Sequence, residues 1–497
     1  MKKPERQCRR CGNGLSQYNA EPLCSPCSRS KAPVCVPDRA WRDEAVQQAL
    51  ALWDFGEVVR RLRQRTGLSQ TSIATLTGFH QTFISRLESG NKQLGGREAI
   101  IDLLNGLGLP ADLRPRLLSA FADQPRTGVS EYLDPNLPWS ADRMVTSLEE
   151  AVGGPMKRRT VLATLGGTGV ATYVLQSMIA PVEELKAATA SGPRVTPPLL
   201  GSLQTTTNVL RQMDATSGSG SLLDTARRHL RFLVDLMKTG TFDQETGRQL
   251  AGVIADTANQ TGWYALDGGE RDEAQVLFAG ALRAAKLSGD TRLRAGALSF
   301  LAIHGYSGED PGSAVTAART GRQGIQGQDA PALNAMLLTR EARGHAKLQD
   351  EPRAMAALEE ASALCSRGRG EDDPHWLYWI NPGEILGQRA SCFLELGRPA
   401  EAAHAFNDAR GALSHDEART CAQFLSRAAT AQMRAGDADA GAATGHEVLA
   451  LVDGIQSARL DDHLRTMLGE ARQFAGAKPL RTLLERGDTL LKERAAA

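Results

Sequence analysis

The C-terminal half of the chain repeats itself, and that repetition constrains the fold more than any other feature. ALDGGERDEAQVLF, GYSGEDPGSAVTAA, KLQDEPRAMAALEE, LELGRPAEAAHAF and MRAGDADAGAATG each place a turn rich in Gly, Asp or Pro just ahead of a small Ala or Gly. With Glu270, Asp310 and Asp350 taken as equivalent, the first two intervals are 40 residues each, and Arg398 and Asp437 continue the series at 48 and 39. A turn followed at fixed spacing by a small residue lets antiparallel helix pairs stack closely into an α-solenoid. Helical amphipathicity is almost continuous over residues 221–497, and aromatic residues make up only 5% of the chain. Abundant Ala and Leu with few β-branched runs favour helix throughout, so the expected fold class is all-α. A generic helical bundle is the alternative, because the repeats are degenerate. At 497 residues the chain is also too long for one core.

GWYALDGGERDEAQVLFAGALRAA resembles a tetratricopeptide repeat, with a longer period than usual. The resemblance implies a sensor or dimerisation array over residues 221–497. The stretched interval carries an insertion, SRGRGEDDPHWLYWINPGE, which puts Trp376, Tyr378 and Trp379, three of the chain's 24 aromatics, within four residues. These are candidate ligand or peptide contacts in a concave groove. The competing reading, and the more ordinary role of Trp and Tyr, is packing beneath the insertion.

A second signature lies at 55–109: FGEVVRRLRQRTGLSQTSIATLTGFHQTFISRLESGNKQLGGREAIIDLLNGLGL. A first helix carries Val58, Val59 and Leu62 on one side and stops at Thr66-Gly67. Ser69 offers an N-cap hydroxyl to a short second helix, Ala74 is small where two helices must cross, and Gly78 suits a turn with positive φ. A third helix from about His80 to Glu88 buries Phe83, Ile84 and Leu87 and turns Gln81, Thr82, Ser85 and Arg86 outward. Small residue, turn glycine and buried aliphatics at this spacing make a bihelical DNA-binding unit; the plainer reading is a generic bundle of short helices.

Through Leu68-Ser69-Gln70, Ala74, Gly78, Ile84, Leu87-Glu88 and Gly90 the stretch resembles the Cro-type (XRE) helix-turn-helix family, a five-helix unit here placed within residues 50–125. The resemblance implies that Gln70 binds backbone phosphate at a helix N-terminus, that Gln81, Thr82, Ser85 and Arg86 face base edges, and that Asn91 and Lys92 approach phosphate. It also implies an Arg63–Glu88 ion bridge. Such modules usually bind paired half-sites of double-stranded DNA, so a homodimer on an operator is expected. Seven basic against four acidic residues between 55 and 105 permit that attraction, whereas the whole chain, with 58 basic and 57 acidic residues, is nearly neutral.

Cysteines cluster at the start: CRRCGNGLSQYNAEPLCSPC gives Cys8-x2-Cys11 and Cys24-x2-Cys27, and Cys35 is spare. Two such knuckles complete a tetrahedral four-thiolate site, so residues 1–35 read as a small zinc-ribbon-like module whose folding depends on structural Zn2+. Disulfides or free thiols are the alternatives. The opening MKKPERQCRRC has no apolar segment, which makes a cytoplasmic, thiol-reducing setting the default and favours metal.

Between the head and the array, residues 126–220 read as a linker from breaks such as ATASGPRVTPPL and SGSGS. Within it, MKRRTVLATLGGTGVATYVL sets twin arginines before an apolar run. That run is too short to span a bilayer and holds Gly and Thr, so segment 156–180 reads as a buried helix coupling head to array, and membrane attachment is the lesser reading.

The order of these parts, together with the phrases GWYALDGGERDEA, REARGHAKL and DPHWLYWINPGE, resembles a large group of actinomycete transcriptional regulators. The resemblance implies a sequence-specific DNA-binding regulator, nucleoid-associated in the cytoplasm, whose array senses a peptide, small molecule or protein. An interaction scaffold that uses DNA only as an anchor is the second reading. Enzymatic function finds no support: there is no phosphate-cradling glycine loop and no catalytic constellation.

Overall fold

The computed structural model describes residues 36–113, 137–153, 167–185 and 192–496, apart from short gaps inside those spans. Cys8, Cys11, Cys24, Cys27, Cys35 and Asn91 lie outside the described residues. The chain divides into two compact units, Met1–Pro125 and Arg126–Ala497. Both are all-α: the described residues form helices joined by short turns, with only two isolated β-bridges.

In the first unit, helices Phe55–Thr66, Gln70–Thr77, Gln81–Glu88 and Arg97–Gly106 surround one core. The local sequence explains the boundaries. Asp54 caps the first helix through the Glu57 amide at 2.9 Å, Ser69 caps the second through the Ser72 amide at 3.0 Å, and Gly67 and Gly78 end them with φ of 70° and 77°. Gly56 is needed for a different reason. A Cβ there would stand 2.2 Å from the Leu87 carbonyl oxygen, so only glycine lets the first helix press against the third. The core extends upstream of residue 50: Val36, Ala40, Trp41, Val46, Ala49 and Leu50 are buried in it. Four described helices therefore lie within 55–106, and two more, Asp38–Trp41 and Glu44–Ala51, precede them.

The second unit is a solenoid-like stack of helix hairpins. Its pairs are Gln244–Asp267 with Arg271–Ser288, Thr291–Ser307 with Pro311–Gly324, Pro331–Lys347 with Glu351–Ser366, Pro382–Glu395 with Pro399–Ala412, and Ala418–Arg434 with Ala438–Leu451, followed by Ala458–Ala471 and Lys478–Ala496. Glu270, Asp310, Asp350, Arg398 and Asp437, the residues that mark the repeat in the sequence, are the N-caps of the second helix of successive pairs. The stack curls until its ends meet. Asp214, near the end of helix Pro197–Ser217, pairs with Arg419 at 2.6 Å, and Ser457 donates to Asp267 at 2.8 Å.

The described residues of 126–220, the span read from sequence as a linker, are packed structure in this unit. Trp139, Met144, Leu148, Tyr173, Val174, Leu200 and Leu210 all join the main core. The signals that look like chain breaks are helix caps: Thr196 and two prolines open helix Pro197–Ser217, and Gly218 closes it.

Helix Gly167–Ile179 contains the described part of the apolar segment. It is buried against Arg271–Ser288 and Pro311–Gly324. Tyr173 donates to the Ala279 carbonyl at 2.9 Å, and the Lys286 ammonium donates to the carbonyls of Ser177 and Ala180 at 2.5 and 2.6 Å. Among the described residues no helix is long and apolar enough to cross a membrane.

Candidate functional site

Two places carry the residues singled out by sequence. The first is the outer face of helix Gln81–Glu88. Ile84 and Leu87 point into the core, which turns Thr82 and Arg86 to solvent and leaves Gln81 and Ser85 half-buried. Arg86 makes no side-chain hydrogen bond or ion pair among the described residues, so its guanidinium is available to a partner. Lys92 is exposed where the chain leaves the helix, with its amide bonded to the Arg86 carbonyl at 3.0 Å.

Behind this face runs a polar chain. Arg63 Nε bonds one Glu88 oxygen at 2.5 Å, the Gln70 amide bonds the other at 2.5 Å, and the Gln81 amide bonds the Gln70 carbonyl oxygen at 2.9 Å. The expected Arg63–Glu88 bridge is therefore present, and Arg63 also donates to the Leu68 carbonyl. Sequence reading missed that this bridge continues through Gln70 to Gln81, because the link joins side chains from three separate helices.

The second place is a cavity of about 650 Å3 inside the curl of the array. That size suits a small organic ligand. Trp376, Tyr378 and Trp379 all line it, together with Trp263 and Phe300. The insertion that carries the three aromatics folds as a short 3-10 turn, His375–Leu377. Its fully buried anchor is Leu377, while Trp376 and Trp379 are partly buried against the same apolar cluster and Tyr378 is 52% exposed. The two tryptophans thus pack beneath the insertion and also line the cavity. Trp376 lies over helix Thr291–Ser307 at Gly296, where a Cβ would be 3.3 Å from the indole.

A carboxylate fixes this insertion. Asp373 accepts from the amides of Ala332 and Leu333 at 3.0 and 2.9 Å, and so caps helix Pro331–Lys347, whose own N-cap residue, Ala330, supplies no side chain. Arg369 bridges the turn from the other side by donating to the Pro374 carbonyl. His375 reaches Asn208 on helix Pro197–Ser217 at 3.3 Å.

Most charges in the cavity wall are matched by partners. Arg211 bonds Asp256, Asn208 and Gln260, and Arg419 pairs with Asp214. Arg419 and Arg459 also sit over the Trp263 ring, 5.3 and 4.9 Å from its centroid. Burial pushes the Cys392 thiol up to about 12 and the His304 imidazole down to about 4. Among the described residues no group of three or more His, Cys, Asp or Glu side chains could hold a metal ion.

Residues 54–117 match the family of helix-turn-helix domains. A comparison of the chain with curated proteins finds no match. The match covers the four-helix core described above and includes every residue of the candidate reading face.

Proposed function

We propose that the protein is a sequence-specific DNA-binding transcriptional regulator whose helical-repeat unit senses an effector. The observation that carries this reading is the outer face of helix Gln81–Glu88. In a domain of the helix-turn-helix family it offers two amide or guanidinium side chains, Gln81 and Arg86, able to bond adenine and guanine edges in a major groove. Gln70, Lys92 and Asn91 supply phosphate contacts around it, and two copies of the chain read paired half-sites. Trp376, Tyr378 and Trp379 contribute to the effector site. Residues 1–35 fold around one structural Zn2+ held by Cys8, Cys11, Cys24 and Cys27, and the protein works in the cytoplasm on the nucleoid.

The test is a genome-wide binding profile of the wild type beside a Gln81→Ala/Arg86→Ala variant. A regulator gives discrete peaks that share an inverted repeat, and the variant loses them. Identical occupancy by the two proteins removes the helix as reader. Occupancy without any shared sequence favours a scaffold for which DNA is only an anchor.

A further inference from the structure

The cavity in the array contains a defect that its own residues do not repair. Arg340, on helix Pro331–Lys347, has a side chain only 5% exposed, yet its Nε has no hydrogen-bond partner among the described residues. The remainder of the guanidinium makes one long bond to the Thr339 hydroxyl, at 3.4 Å, and lies 3.8 Å from a Glu384 oxygen. A buried guanidinium has five N–H donors, and leaving them unmatched in a low-dielectric wall is costly. Two more polar atoms in the same wall are buried without partners among the described residues, the acceptor Asn259 Oδ1 and the donor Gln423 Nε2. Eleven other buried side-chain atoms among the described residues also lack hydrogen-bond partners, but Arg340 Nε and Gln423 Nε2 are both donors in the wall of one cavity, and a bound acceptor is the kind of partner that would match them.

The rest of the wall says what that partner is. Arg340 lies over the Trp379 ring, 5.5 Å from its centroid, so the unmatched donors adjoin an aromatic face. Trp263, Phe300, Trp376 and Tyr378 supply further ring surface to the same space. Of the four arginines in the cavity wall, Arg211 pairs with Asp256, and Arg419 and Arg459 lie within 4.0 Å of the buried Asp267, whereas Arg340 has only Glu384, at 3.8 Å. The unmatched Arg340 and Gln423 donors call for acceptor oxygens, the weakly paired Arg340 guanidinium favours an anionic one, and the aromatic surface calls for a flat apolar body.

We propose that this cavity is the effector site, and that its ligand is a small planar aromatic carboxylate whose carboxyl group bonds Arg340 while its ring lies against Trp379 and Trp376. The proposal rests on the reading of the array as a sensor. It makes Arg340, on REARGHAKL, the residue that sets ligand charge, and the aromatic insertion the wall that sets ligand shape. Neither acid nor base chemistry is involved, since recognition is by hydrogen bonding and stacking alone.

The test uses the full-length protein without DNA, so it is independent of operator binding. Isothermal titration with 2-naphthoate is compared with its neutral analogue 2-naphthamide. A charge-assisted bond to Arg340 should make the acid bind about tenfold or more tightly than the amide. Arg340→Met should abolish that preference, Arg340→Lys should keep part of it, and Trp379→Leu should weaken both probes. If Arg340→Met fails to fold, as judged by circular dichroism, the wild-type preference and the Arg340→Lys result decide. Absence of naphthoate binding overturns the proposal. So does equal affinity for acid and amide, the result expected of a peptide-type site that pairs through neutral amides. A naphthoate preference in a protein that shows no operator would support the cavity assignment while sinking the DNA-reading function. The opposite pattern would do the reverse.

Discussion

The Gln81 amide hydrogen-bonds the Gln70 side-chain oxygen at 2.9 Å, so the expected base reader and the expected phosphate contact are tied to each other before any DNA arrives. Gln70 is held in turn by Glu88, whose other oxygen takes Arg63, so Glu88 reaches Gln81 through Gln70. The candidate reading face is therefore preorganised by a residue that lies behind it.

Glu88→Ala should act on both stability and recognition. With its side chain 8% exposed, Glu88 satisfies Arg63 and Gln70 in a largely dry site. Its loss should cost about 1–3 kcal/mol in the DNA-binding unit and let the Gln81 side chain sample other rotamers. Hydrogen exchange of the amides in 55–88 and operator titration would read the two effects. Unchanged exchange together with unchanged affinity would mean that the chain of hydrogen bonds organises nothing.

Lys286 gives a pH-dependent prediction for the second unit. Burial beside Arg294 and Arg283 lowers its pKa to about 8, against an ordinary value of 10.5. Between those pH values the unfolded chain carries a proton that the folded chain has released, so this group makes stability rise with pH across that window and is neutral outside it. Lys286→Met removes its bonds to the Gln176, Ser177 and Ala180 carbonyls. The variant should be less stable by about 1–3 kcal/mol. The gap between wild type and variant should widen from pH 8 to pH 10.5. Denaturant titrations at pH 7, 8.5 and 10 measure it, and a gap that narrows with pH would refute the sign.

The helix-turn-helix and the array were legible because both depend on local signals. Ser69, Gly67 and Gly78 cap helices within a few residues of themselves, and Glu270 through Asp437 mark one N-cap per hairpin. The packing of the described residues within 126–220 was not legible, for the same reason turned around. Proline and glycine clusters punctuate helices as readily as they interrupt them, and only the burial of Trp139, Tyr173 and Leu210 in a distant core tells the two apart. Arg340 was hidden more deeply. REARGHAKL alone does not show that this arginine is buried, and Trp379, whose ring it overlies, lies well downstream in the sequence.

The amino-terminal cysteines yield a compositional prediction. Purified full-length protein should contain about one zinc per chain by mass spectrometry, following from four thiolates per tetrahedral site. Cys8→Ser and Cys27→Ser should each lose most of it, while Cys35→Ser should keep it. Stoichiometry near zero in protein prepared without chelator would remove the metal and leave the spacing of Cys8, Cys11, Cys24 and Cys27 without a role.

Asp373 is the tether by which the insertion presents its aromatics, and its removal should separate two effects. Asp373→Ala takes the acceptor from the Ala332, Leu333 and Gly370 amides, and so leaves the N-terminus of helix Pro331–Lys347 without a cap. Loss of a capping carboxylate costs about 0.5–2 kcal/mol, a small part of the stability of a stack this long. The larger consequence falls on the turn itself, since Trp376 and Trp379 lie three and six residues beyond the tether. Limited proteolysis should cut Asp373→Ala within 367–381 well before it cuts wild type, and tryptophan emission should shift to the red as both indoles gain water. If emission and cleavage are unchanged, the apolar contacts of Leu377 alone hold the turn, and the carboxylate is no more than a helix cap.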